Sequence, residues 1–279
     1  FADFYSNFDM SKAEDMLRAQ LEKRPLTIRV NEALPKESQN KMLLQIAETG
    51  VKVTQSKQLP YAYYLEQVDH IDALPGYAQG GFFMQDIGSM QVVELAGIKP
   101  GDTVIDVCAA PGGKAMHALA KLNGKGSVQA RDLTENKVSL IEENIARCAK
   151  KADAIEALVR DARILDPQAV EKADVVIADL PCSGLGVIGR KSDIKYRMTP
   201  EQVADIAALQ REILSVVWQY VKPGGILMYS TCTLTKAENQ DNRDWFLENC
   251  PFTLLEEKEL LPSAETDGFY MIKCRRNKA

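Results

Sequence analysis

The chain reads as an α/β protein, a doubly wound and mostly parallel sheet preceded by a small α+β subdomain, with the division near residue 80. Three observations predict this. The runs Val104-Ile105, Val175-Val176-Ile177-Ala178 and Ile226-Leu227-Met228-Tyr229 are continuously apolar rather than alternating, as strands covered on both faces are. Helical segments fall between them, the order that crossover connections in a parallel sheet require. Before Phe82 the order is β-α-β-β instead, which marks a separate small unit.

Ser11–Lys23 reads as a helix opened by a capping box of Ser11 and Glu14 and ended by Pro25. Leu26–Val30 alternates as a strand, Lys36–Thr49 is a helix closed by Gly50, and Val51–Thr54 and Tyr61–Leu65 are short strands. After Gly80-Gly81, strand Val104–Val107 leads to a helix over Lys114–Leu122. Ser127–Ala130 leads to a helix capped by Thr134 and running to about Lys150, and Ala157–Val159 ends at Arg160-Asp161. Beyond strand Val175–Ala178, Thr199-Pro200-Glu201-Gln202 is a second capping box with Pro at the first helical position. The helix it opens carries Val203, Ile206, Leu209, Ile213, Val217 and Tyr220 on one face and stops at Pro223-Gly224-Gly225. Ile226–Tyr229 is the next strand, Ala237–Glu248 a helix, and Phe252–Leu255 and Phe269–Lys273 are late strands.

The 279 residues are 46% hydrophobic and 26% charged, with a net charge of −5, which argues against a surface coated for nucleic acid. No apolar run nears the roughly 20 residues of a membrane span, and no signal peptide is visible; a cytoplasmic protein is expected, and a monomer. The chain begins at Phe1 rather than Met, so a preceding segment is expected. The six cysteines are scattered with no CxxC pair, and read as free thiols. With only His70 and His117 to join them, no metal site is expected, and His117 reads as a packed or surface helix residue rather than a catalyst. Basic residues cluster at Arg190, Lys191, Lys195 and Arg197, and again at Lys273, Arg275, Arg276 and Lys278, where a solvated surface is the plainer reading.

Chemistry concentrates at strand ends, where an open α/β sheet places its ligand crevice. Asp106-Val107-Cys108-Ala109-Ala110-Pro111-Gly112-Gly113-Lys114 is a strand, a tight turn and a helix start. Glycines let a backbone approach a ligand, and helix N-termini attract anions. The spacing is neither GxGxxG nor GxxxxGK[ST], which excludes the nicotinamide and P-loop signatures. Asp132, at the next strand end, is placed for ribose hydroxyls, and Asp161, at the third, for an adenine amino group. Two further strand ends each carry a thiol, in Asp179-Leu180-Pro181-Cys182-Ser183-Gly184 and Ser230-Thr231-Cys232-Thr233. Two thiols beside a cofactor loop point to covalent chemistry on a bound substrate. Cys108, Cys148, Cys250 and Cys274 read as inert packed thiols.

Together with Gly81-Phe82-Phe83-Met84-Gln85-Asp86, Ser89, the stretch Gly189–Lys195, Glu238-Asn239 and Asp267-Gly268-Phe269, these segments resemble the NOL/NOP2/Sun family of RNA cytosine-5 methyltransferases, and within it the bacterial 16S ribosomal RNA branch. The resemblance runs from about Leu26 to the C-terminus. It implies S-adenosylmethionine as methyl donor, bound by Cys108 to Lys114, Asp132, Asp161 and Asp179, and a Rossmann-like fold of seven strands with a late reversed strand. It also implies an RNA-contacting subdomain over residues 1–80, a methyltransferase domain over 81–279, and, in that branch, a further helical domain ahead of both. Met116-His117 departs from the hydroxyl-rich residues that often follow the glycine loop.

Carbon 5 of cytosine is a poor nucleophile until a thiolate adds to carbon 6, and a thiolate also leaves well afterwards. The residues alone do not rank the two cysteines. The family's pattern makes Cys232 the nucleophile and Cys182 the helper in elimination, with Asp179 steadying the base. Arg190, Lys191 and Lys195 are expected at substrate phosphates. Methylation of transfer RNA stays open as an alternative, as does a non-catalytic RNA-binding assembly factor. An amino-group methyltransferase is disfavoured, because Asp179-Leu180-Pro181-Cys182 stands where those enzymes carry Asp/Asn-Pro-Pro-Tyr/Phe.

Overall fold

The computed structural model describes residues 8–149 and 152–278. The chain opens with α1 (Met10–Leu21), β1 (Leu26–Val30), α2 (Lys36–Glu48), β2 (Lys52–Gln55), β3 (Ala62–Glu66) and β4 (Phe82–Met84). The four strands form an antiparallel sheet in the order β2-β3-β1-β4. Met42 and Ile46 of α2 close its core against Ile28, Val30, Leu65 and Phe82. Because β4 completes this sheet, its edge strand comes from just beyond residue 80. The cap of α1 is Asp9, whose carboxylate accepts from Lys12 N at 2.8 Å. The expected cap, Ser11, instead lies inside the helix: the acceptor two residues upstream wins because an aspartate is at least as good a cap.

The chain continues through α3 (Ile87–Ala96), β5 (Thr103–Asp106), α4 (Gly113–Lys121), β6 (Ser127–Asp132), α5 (Glu135–Cys148), β7 (Ile155–Val159) and β8 (Ala173–Asp179). It then runs through α6 (Ile194–Arg197), α7 (Pro200–Val217), β9 (Val221–Thr231), α8 (Gln240–Asn249), β10 (Phe252–Leu260) and β11 (Phe269–Arg276). The second sheet has seven strands in the order β10-β11-β9-β8-β5-β6-β7. Its β9-β8-β5-β6-β7 part is parallel, and β11 runs antiparallel to both its neighbours. The expected doubly wound sheet with a reversed strand is therefore present. One apolar layer lies under α3, α4 and α5, the other under α7 and α8.

Thr134 caps α5, and Thr199 with Gln202 forms the expected capping box of α7. Lys150, the expected end of α5, lies outside the described residues. Three expectations need correction. Helix α3 follows β4 where no helix is expected. Strand β9 begins at Val221, so Pro223-Gly224-Gly225 lies inside it, where the pairing with β8 slips register between Ala173 and Val175. Helix α8 begins at Gln240, because Glu238 and Asn239 turn inward to fully buried hydrogen bonds instead of helix positions. Among the described residues no helix is long and apolar enough to cross a membrane.

Candidate active site

Strands β5, β8 and β9 are neighbours, so the turns that follow them meet at one edge of the sheet. The turn after β5 is strapped to both flanking strands: Val107 N donates to Ile177 O at 3.0 Å and Ala109 N to Arg131 O at 2.8 Å. Gly112 ends it at φ 106°, left-handed backbone that a side chain would strain, and α4 begins there with amides that have no partner within the helix. Asp132 braces the same turn. Its carboxylate accepts from Ala110 N at 2.9 Å, Leu133 N at 2.8 Å and the Lys137 ammonium at 3.0 Å. Asp161 follows β7, where hydrogen bonds from Arg163 hold its carboxyl below the usual carboxylate range.

Two small cavities flank this turn and share Cys108 as a wall. One, of about 170 Å³, is lined by Gln85, Asp86, Ser89, Asp106, Lys114 and Asp179 together with the turn itself. The other, of about 160 Å³, combines Asp132, Lys137 and Asp161 with an apolar slot of Leu133, Ala162, Pro181, Leu209 and Ile213. A larger hollow of about 560 Å³ lies between α7 and α8, lined by Ala204, Ala208 and Trp245, and holds none of these groups. Both carboxylate oxygens of Asp106 are buried without a hydrogen-bond partner, and burial pushes the carboxyl up to about 7 even with the Lys114 charge pulling the other way. A buried carboxylate without a donor calls for a cationic ligand group. S-adenosylmethionine offers such a group in its ammonium, hydroxyls for Asp132, and a flat base for the slot beside Asp161. The residues fit that molecule.

Cys182 lies just past β8, and Cys232 directly follows β9. The pairing of Asp179 with Ser230 makes the two turns leave the sheet side by side. Their sulfurs stand 3.1 Å apart, and Cys232 N points at Cys182 Sγ at 3.3 Å. The hydrogen bond with Cys232, followed by burial, pushes the Cys182 thiol well above its ordinary range, so Cys182 keeps its proton beside Cys232.

A buried polar network holds this pair in place. Glu238 is fully buried. Its carboxylate accepts from Ser183 N at 2.8 Å, Ser183 Oγ at 2.6 Å, Thr235 Oγ1 at 2.7 Å and Gln210 Nε2 at 3.2 Å. Gln210 Nε2 also donates to Pro181 O at 2.8 Å, and Asn239 Nδ2 to Thr233 O at 3.0 Å. The residues on either side of each cysteine are thereby tied to α7 and to the segment before α8.

Lys114 connects the cofactor turn to the thiols. Its ammonium donates to Asp179 Oδ2 at 2.6 Å and to Ser89 Oγ at 3.1 Å, while Ser230 Oγ donates to Asp179 Oδ1 at 2.6 Å. Burial pulls the Lys114 pKa down, but the charge and hydrogen bond of Asp179, with help from Asp106 and Cys232, hold it above its ordinary value. A full positive charge therefore stands within range of Cys232.

The fold brings Cys108 to Lys114, Asp132, Asp179, Cys182 and Cys232 to one edge, and Asp161 to the wall of the adjoining slot. The expected phosphate contacts divide. Lys191 is exposed and Lys195 half-buried in the segment after Cys182. Arg190 is exposed at the surface and ion-paired: its guanidinium binds Asp267 at 2.5 Å and approaches Asp86 at 3.6 Å, and Asp267 also pairs with Arg24. Of these two carboxylates Asp267 is buried and Asp86 half-buried, while the Arg190 side chain itself stays partly exposed. Asp106 and Glu238 are site residues that the sequence reading quotes without a role. An acid at the end of the strand entering a glycine turn is a signal that could have marked Asp106; nothing local marks Glu238. Of the packed and surface readings of His117 the fold takes the packed one, since it is fully buried, and Cys148, Cys250 and Cys274 are buried thiols. Among the described residues no group of His, Cys, Asp or Glu could hold a metal ion.

A family model described as 16S rRNA methyltransferase RsmB/F matches residues 93–274. The Ribosomal RNA small subunit methyltransferase B of Cronobacter sakazakii is 34% identical over 268 residues, covering 92% of this chain and 61% of that protein. The chain thus spans about three fifths of the length of the curated relatives it matches. Among solved structures, PH0851 superposes with a TM-score of 0.91 at 28% identity, covering 98% of this chain and 64% of that one. NSun6 from Pyrococcus horikoshii, solved with SFG, superposes with a TM-score of 0.88 at 21% identity over 99% of this chain and 97% of that one, a likeness of fold.

Proposed function

We propose, for a chain that belongs to the 16S rRNA methyltransferase RsmB/F family, that it transfers a methyl group from S-adenosylmethionine to carbon 5 of a cytosine in RNA, small-subunit ribosomal RNA being the substrate this membership favours. The observation that carries the reading is the 3.1 Å approach of the Cys182 and Cys232 sulfurs beside the Lys114–Asp179 pair. One thiol is enough for a nucleophile. A second, held protonated against the first, supports a reaction that must also undo its covalent bond.

When bound, S-adenosylmethionine supplies an electrophilic methyl group; the turn Cys108 to Lys114, Asp106, Asp132 and Asp161 would hold it. Cys232 Sγ bonds to carbon 6 of the cytosine, and the electron pair of the 5,6 double bond moves to carbon 5, which takes the methyl group. Lys114 brings a positive charge within range of the Cys232 sulfur before attack. Asp179 retains lone pairs beyond those used by Lys114 and Ser230, and these can accept from the exocyclic amine of the base. Once Cys232 is bonded to carbon, it no longer holds up the Cys182 thiol. Cys182 can then release its proton to solvent and take the carbon-5 proton as a thiolate, and the freed electron pair re-forms the double bond and expels Cys232. The subdomain of residues 1–80 is assigned to RNA contact, and the cytoplasm to the site of action, on this same reading.

RNA containing 5-fluorocytosine tests it, because fluorine cannot leave carbon 5 as a proton does. The wild-type chain with S-adenosylmethionine is expected to give a covalent protein–RNA adduct on a denaturing gel, and Cys232→Ala none. An adduct that survives Cys232→Ala would reverse the roles of the two cysteines. Absence of any adduct with the wild-type chain would remove the reading.

A further inference from the structure

Tyr196 lies in α6, in the segment that follows Cys182, and its side chain is 82% exposed. Among the described Phe, Tyr and Trp residues it is the one that is exposed; the others are buried or half-buried. Lys195 Nζ sits 4.9 Å from the ring centroid. Lys191 and Arg197 are exposed in the same segment, Arg197 paired with the exposed Asp193 at 3.5 Å, so the ring stands in a patch of net positive charge on a chain whose net charge is −5. The patch is anchored close to the catalytic turn. Ile194 packs with Leu185, Ile188 and Val203, and its Cδ1 would come within 2.8 Å of a Cβ placed on Gly184, two residues from Cys182.

A solvated tyrosine contributes little to folding when its ring is left in water. An exposed ring flanked by lysines is what single-stranded nucleic acid uses: charge tracks the phosphates while a π-face receives a base. We propose that Tyr196 is a stacking platform for an unpaired base of the RNA strand next to the target cytosine. Lys191 and Lys195 meet the phosphates on either side. This rests on the RNA substrate proposed above. The platform requires only a base plane and a phosphate chain, so it accepts any base, and it positions the strand without touching the reacting atoms.

A fluorescein-labelled single-stranded RNA 12-mer of mixed sequence with one cytosine tests this by equilibrium binding. Tyr196→Ala is expected to weaken binding about 5- to 30-fold, the loss of one base–aromatic stack, without changing the slope of log affinity against log salt. Tyr196→Phe and Tyr196→Trp restore binding, because the ring and not the hydroxyl acts. Lys195→Ala lowers the slope by about 0.7, the mark of one phosphate contact to a single strand. In methyl transfer, Tyr196→Ala raises KM and leaves kcat unchanged. Thermal melting of Tyr196→Ala should match the wild-type chain, since the residue is largely exposed to solvent. Unchanged binding by Tyr196→Ala overturns the proposal. So does a Phe variant as weak as the Ala variant, or a wild-type chain that does not bind the 12-mer. If stacking behaves as stated but no 5-fluorocytosine adduct forms, the platform stands and the catalytic reading falls; an adduct with normal binding by Tyr196→Ala gives the reverse.

Discussion

The two halves of the crevice are finished to different degrees. Around the thiols, Ser183, Gln210, Thr233, Thr235, Glu238, Asn239 and Asn242 satisfy one another without any ligand. Around the cofactor turn, both oxygens of Asp106 and Nε2 of Gln85 are buried without a hydrogen-bond partner. Unsatisfied buried polar groups are costly and rare in folded proteins. Their concentration on one side indicates which part of the crevice a bound molecule completes and which part is organised in advance. A covalent nucleophile needs a fixed sulfur, whereas a cofactor that comes and goes can supply its own share of the hydrogen bonds.

The largest effect should come from removing the sulfur that waits. Cys182→Ala is expected to leave attack by Cys232 intact but to block its release, so an adduct accumulates even on ordinary cytosine RNA with S-adenosylmethionine present. Turnover should fall by about 10²- to 10⁴-fold, the usual contribution of a positioned proton acceptor. Rapid turnover with no trapped adduct would mean that something other than Cys182 completes the reaction.

Next comes the network behind the thiols. Glu238→Ala strands the amide of Ser183 and the hydroxyl of Thr235 away from water, and takes one of two partners from Ser183 Oγ and from Gln210 Nε2. The expected loss is about 3–5 kcal/mol of unfolding free energy, measured by urea denaturation, with Glu238→Gln losing about 1–2 kcal/mol because its carbonyl still accepts. A loss under about 1 kcal/mol for the alanine variant would show that the two halves do not differ in how they are held.

Legibility in the sequence follows the same division. Turn chemistry is local, so the glycine turn, both cysteine turns and the capping box at Thr199 can be read directly. Helix α3 cannot, because Ile87, Gly88, Met90, Gln91, Val92, Val93 and Ala96 are all buried and leave no polar face to reveal its period. The start of β9 is hidden for the opposite reason: Pro223-Gly224-Gly225 carries the composition of a loop, and only its partner strand shows the register slip that accommodates it. Asp9 outcompetes Ser11 as a cap within two residues, a choice the sequence leaves open. The Glu238 network joins three distant segments and has no local signature. The ion pairs of Arg190 with Asp86 and Asp267 likewise join residues far apart in the chain and leave no local mark.

On the cofactor side the test is a pH dependence. Burial pushes the Asp106 carboxyl up to about 7, above its unfolded value near 4. The folded chain binds this proton more tightly than the unfolded chain, so the contribution of Asp106 to stability declines as pH rises from about 4 to about 7, and its ionised form is the unfavourable one. A cationic ligand group reverses the preference and drives the proton off. Affinity for S-adenosylhomocysteine, which keeps the ammonium, should therefore rise about tenfold between pH 6 and pH 8 by calorimetry. Asp106→Asn should flatten that profile and, without ligand, stabilise the fold at pH 8 by about 2 kcal/mol. A flat wild-type profile would mean that Asp106 faces no cation, and the contrast between the halves would then not be one of ligand completion.

The smallest effects should fall on the remaining thiols, and these sharpen the comparison by what fails to happen. Alkylation reads the thiolate, and burial pushes Cys148 up, Cys250 up to about 11 and Cys274 up to about 12. Cys108 is pushed up as well, by burial and then by the charge of Asp106, although it walls both cavities. Brief iodoacetamide treatment of the native chain at pH 8 should therefore add one label, located by peptide mass at Cys232, the half-buried sulfur assigned to attack. Cys182 should stay unlabelled while Cys232 is present, because its proton is held by that neighbour. A first label on Cys182 would show that the proton rests on the other sulfur, and the order of attack and release across the pair would then run the opposite way.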